Sequence, residues 1–146
     1  MRSPEPTYYL NGDEPPSEGD ACSGFYLMQH QVDGALTDPV NLAYFKFNDG
    51  WLQLCFDEST IFWRTTTIPR EPLNDRLSSV LVLVNLSKRP GVVGARLDTV
   101  RYWGSNTEIG ASLQFSSGVE LVFTYLSNRE ITLVAANHSD MGGQDK

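Results

Sequence analysis

The sequence predicts a mainly β protein, an antiparallel β-sandwich or bent meander of two hairpin-containing halves, with little helix. Three observations carry this. Leu52, Leu54 and Phe56 alternate with Gln53 and Cys55, the period-two signature of a strand with one buried face. A polar turn, Asp57-Glu58-Ser59, leads into a return run, Ile61-Phe62-Trp63. The design then recurs from Ala111 to Phe123, with Leu54 and Phe56 matched by Leu113 and Phe115, and Phe62 by Leu121. One flat sheet would leave an apolar face wet, so two packed layers are expected.

Taken in order, residues 1–20 form an acidic, Pro-rich segment expected to be partly mobile, with Thr7-Tyr8-Tyr9-Leu10 as a short edge strand or aromatic latch. A single domain spans 21–135. Gly24 to Val32 reads as a strand ending at the Asp33-Gly34 turn. Leu36-Thr37-Asp38-Pro39 reads as loop, because Pro biases its predecessor. Leu42 to Phe47 is the next strand, and Asn48-Asp49-Gly50 turns it into the Leu52 strand. Pro69 and Pro72 end the return strand. Leu77 to Leu86 carries both helical spacing and an unbroken β-branched run; strand is favoured. Val100 to Trp103, Ile109 to Phe115, Val119 to Leu126 and Glu130 to Val134 are strands of the second half. The halves are 41–84 and 98–135, and 136–146 is a polar tail expected to be flexible.

The 146-residue chain carries a net charge of −7. Residues 1–20 hold a balance of −4, and residues 70–101 one of +3. An acidic total argues against nucleic-acid binding, which needs a concentrated cationic face, and leaves open steering towards a basic protein. No apolar run approaches the ~18 residues of a membrane span. The first residues lack a hydrophobic leader, so a cytoplasmic, reducing location is expected, with Cys22 and Cys55 as free thiols. Neither cysteine has metal or redox spacing, and no phosphate-cradling glycine motif occurs. No cofactor or metal is expected.

Only His30 and His138 are available as bases. An enzyme would have to use His30 with Asp33 or Cys22. Asp49, Asp57 and Glu58 stand at turn tips. Alternation lets one set of aromatics face the core and leaves Tyr44, Trp51 or Trp63 for the other face. Asp49, Trp51, Asp57, Glu58 and Trp63 are therefore the expected partner-contact residues, because exposed Trp concentrates interface energy and acids steer association. A carbohydrate-binding module using Trp51, Trp63 or Trp103 is the main alternative. An exposed Val80–Val84 edge would favour a homodimer.

The hairpins Leu52 to Trp63 and Leu113 to Phe123, each a strand, a polar turn and a strand, resemble those of small acidic β-rich bacterial immunity proteins. The resemblance implies an inhibitor that covers the active site of a toxin, for which a basic toxin domain is the fitting partner. It carries over no individual functional residue.

Overall fold

Two-residue connections at 33–34, 48–49 and 58–59 fold the first half of the chain into four consecutive antiparallel strands. These are β2 (Cys22–Val32), β3 (Ala35–Phe47), β4 (Gly50–Asp57) and β5 (Thr60–Thr66). Asp33 and Gly34 both take positive φ, 51° and 80°, the mirror-image turn whose twist matches a hairpin. In this computed structural model the described residues are 8–15, 21–48, 50–72 and 79–138. β1 (Tyr9–Gly12) adds to β5 in parallel, and β6 (Ser79–Asn85) adds antiparallel to β2. The resulting six-stranded sheet has the order β1-β5-β4-β3-β2-β6. A second sheet is a simple meander of β7 (Leu97–Gly104), β8 (Glu108–Phe115), β9 (Val119–Leu126) and β10 (Ile131–His138). The described residues contain no helix, hence none long and apolar enough to cross a membrane.

The sheets pack face to face through alternating side chains. Phe25, Phe45, Leu54 and Trp63 project from the first; Ala111, Leu113, Leu121 and Phe123 from the second. At the centre Phe45 meets Phe123 edge to face, 6.1 Å between centroids at 90°. Each such side chain contributes about 1.5–3 kcal/mol on leaving water. The connection from β6 to β7 closes one side of the core: Val92 and Ala95 are buried, the Gly94 N–H donates to the Cys22 carbonyl, and the Cys22 N–H donates to the Ala95 carbonyl, each at 2.8 Å.

The β-sandwich expectation is met, and 79–85 is a strand, as favoured; Leu77 and Ser78 lie outside the described residues. Three expectations are corrected. Leu36-Thr37-Asp38-Pro39 is strand, inside β3. The register steps from Met28↔Leu42 to His30↔Asp38, so β3 advances four residues while β2 advances two. Pro39 lies in that bulge, where no ladder donor is required of it. Phe62 is not the counterpart of Leu121: it pairs with Cys55 and faces outward, whereas Trp63 pairs with Leu54 and faces in. Ala136, Asn137 and His138 belong to β10, not to a tail; 139–146 lie outside the described residues. Both cysteines are free, Cys22 in the core and Cys55 on the outer face.

Candidate functional site

A recess of about 460 Å³ opens at one end of the sandwich. It is built from turns: Asp57, Glu58 and Ser59 between β4 and β5, Ser105 and Asn106 between β7 and β8, and Glu130 before β10. Buried Ile109 and Tyr125 lie at its base, and Tyr125 is stacked on Phe56 behind it at 6.1 Å and 10°. Burial pushes the Tyr125 phenol above its ordinary range, partly opposed by the Glu58 backbone beside it. Asp57, Glu58 and Glu130 are exposed and rim the recess with carboxylates. Glu58 and Glu130 hold φ of 54° and 53°, the left-handed turn conformation that Asp33 and Asn48 also take. The Glu130 turn is tied by N–H donation to the Leu126 carbonyl at 2.7 Å.

The five residues expected from sequence do not share one surface. Asp57 and Glu58 line the recess. Trp51 stands at the opposite end of β4, about 20 Å away at ~3.3 Å per residue. It is half-buried on the outer face of the six-stranded sheet, edge-on to Tyr26 at 5.6 Å and 63°. Asp49 lies outside the described residues. Trp63 is corrected outright: it is 0% exposed, packed near Phe45, and cannot touch a partner. Its Nε1 donates to the Tyr102 hydroxyl at 2.9 Å, which donates to Glu14 Oε1 at 3.0 Å. Burial and the bond to Glu14 raise the Tyr102 phenol well above its usual range.

Trp103 is half-buried on the outer face of the second sheet, laid over Gly110; a Cβ there would lie 2.1 Å from Cζ2. Its Nε1 donates to Glu108 Oε2 at 3.4 Å. His30 shares hydrogen bonds with Ser79 Oγ at 3.0 Å and Thr37 Oγ1 at 3.1 Å. Cys22 lies eight residues along the same strand, about 26 Å from His30. It is buried, and burial pushes its thiol up to about 11. The described residues hold no group of three or more His, Cys, Asp or Glu arranged for a metal ion.

Sequence reasoning missed Glu130, Tyr125, Ser105 and Asn106. Ser105-Asn106 and Asn128-Arg129-Glu130 are legible as turns, but their meeting with Asp57 depends on how the two sheets stack, which no local signal carries. Comparison with protein-family models, with curated proteins and with solved structures finds no match.

Proposed function

We propose that the protein is a non-catalytic binding domain that receives a basic protein partner at the acid-rimmed recess. One observation carries the reading: Asp57, Glu58 and Glu130 converge from two separate turns around one recess based on Ile109 and Tyr125. Three exposed carboxylates beside Ser105 and Asn106 offer a cationic surface both charge and neutral hydrogen-bond groups. The net charge of −7 adds long-range attraction for the same class of partner. The narrower form of the proposal is a cytoplasmic bacterial immunity protein that occludes the active site of a basic toxin domain.

The neighbouring reading frame supplies the test. Its product, purified, is titrated against the wild-type chain and against the triple variant Asp57→Asn, Glu58→Gln, Glu130→Gln. Binding that weakens with added salt and falls about tenfold or more in the variant is expected. A neighbouring product that does not bind defeats the toxin form. A partner held equally well by the triple variant defeats the recess as the contact surface.

A further inference from the structure

The outer face of the six-stranded sheet is not built like a solvated face. Strand register places Asn85, Tyr26, Tyr44, Gln53 and Arg64 side by side across β6, β2, β3, β4 and β5. The next row is Gly24, Lys46, Trp51 and Thr66. From β4 the Trp51 indole crosses Lys46 and settles on Gly24, where a Cβ would lie 2.6 Å from its Cη2. The glycine is what lets the ring lie low, and Tyr26 braces its edge at 5.6 Å. Tyr44, only 7% exposed, forms the base between them. The rings are thus held in place before any ligand arrives, which lowers the ordering cost of binding.

The ionic groups of these two rows are cations, while Asp13 and Glu14 share the recess that Trp51 lines at the end of β4. Among the described residues of both rows the cations are Lys46 and Arg64, in a chain of net charge −7. Arg64 is fixed: Nη1 donates to the carbonyls of Asn11 and Trp63, each at 3.1 Å, and its guanidinium lies 5.1 Å over the Phe62 ring. Gln53, between Trp51 and Arg64 in space, adds an amide. Flat aromatic rings, a neutral amide and two cations on β3 and β5, about 10 Å apart across β4 at ~4.8 Å per strand, match a ligand with flat apolar ring faces, hydroxyls and carboxylates.

We propose that this face binds an acidic oligosaccharide, uronate rings lying against Trp51 and Tyr26 with their carboxylates on Lys46 and Arg64. The site is distinct from the recess, and the two readings stand or fall separately. Two cations are too few to follow a nucleic-acid backbone, which presents a phosphate at every nucleotide.

The experiment titrates the intact chain with tetragalacturonate, followed by tryptophan fluorescence and calorimetry. Maltotetraose serves as the neutral counterpart and a four-residue oligothymidylate as the anionic one. Saturable binding of the uronate, weakened by salt, is expected. Trp51→Ala should lower affinity about tenfold or more. Lys46→Gln with Arg64→Gln should bring uronate binding down to that of maltotetraose, whereas the triple recess variant should bind uronate as wild type does. Because Trp51→Ala removes packing from Tyr26, Gln53→Ala, at a half-exposed position, is measured beside it and should also weaken binding. The proposal is overturned if tetragalacturonate does not bind, if maltotetraose binds equally well, if oligothymidylate binds more tightly, or if binding survives both the Trp51 and the double cation variants.

Discussion

The β4–β5 and β8–β9 hairpins carry the same inward alternation, yet their second strands are set one residue out of phase. Glu58-Ser59 closes the first with two residues, so Asp57 faces Thr60 and Leu54 faces Trp63. Ser116-Ser117-Gly118 closes the second with three, Gly118 in a left-handed φ of 95°, so Gln114 faces Glu120 and Leu113 faces Leu121. Aligning the hairpins by their apolar letters pairs Phe62 with Leu121; pairing them across the turns gives Trp63. One loop residue decides whether an indole lies in the core or on the surface, because strand side chains change face at every step.

That contrast can be broken most directly at Trp63. Trp63→Ala should cost about 3–5 kcal/mol, from a large core void and from the loss of the donor to Tyr102. Phe62→Ala, on the outer face under Arg64, should cost about 1 kcal/mol. Urea unfolding of both variants checks it; equal losses would show that the two residues do not face opposite ways.

The thiols sharpen the same distinction between inward and outward positions. Burial raises Cys22 to about 11 from an unfolded value of 9.0, so its protonated form is favoured in the fold. The stabilisation is complete below pH 9 and is lost as pH rises through about 11, a change of about 2–3 kcal/mol. Cys22→Ala should flatten the decline of unfolding free energy over that interval. At pH 8 a maleimide should label Cys55, on the outer side of β4, and leave Cys22 untouched until the chain unfolds. Equal labelling of both would contradict the assignment of faces.

The outer faces offer the gentlest comparison. Gly110→Ala forces the Trp103 indole off its seat and should cost about 1–3 kcal/mol with a red-shifted tryptophan emission. Gly34→Ala, where a Cβ would meet nothing within 4 Å but φ is 80°, should cost about 1 kcal/mol with no spectral change. Matching emission spectra would show that Trp103 does not rest on Gly110.

Most strands were legible because alternation and turn chemistry agree locally, as at Asp33-Gly34 and in Leu52–Phe56. Pro39 misled because its neighbours report only local preference, while the bulge that accommodates it is set by pairing with Met28 and His30 on another strand. Trp63 misled because alternation was read along each strand without counting across the two-residue turn. The recess was half legible: Asp57 and Glu58 were picked out as turn-tip acids, but Glu130 joins them only through the order of strands in two sheets. The seating of Trp51 on Gly24 required knowing that β2, β3 and β4 are neighbours, a long-range fact with no local trace.

The parallel attachment of β1 has a kinetic consequence. Tyr9 bonds to Ser59 and Asp13 to Trp63, while Leu27 at the other side of the sheet is matched with Val84. During synthesis the ribosome delivers β1 long before its seat on β5 exists, and β2 well before β6. The β2–β5 ribbon and the β7–β10 meander are the parts able to assemble from sequence neighbours alone. Docking of the Tyr9 segment is accordingly a late event, and its release ahead of global unfolding should appear as early deuterium uptake at Tyr9 and Asp13 while the Phe45 and Leu54 amides stay protected.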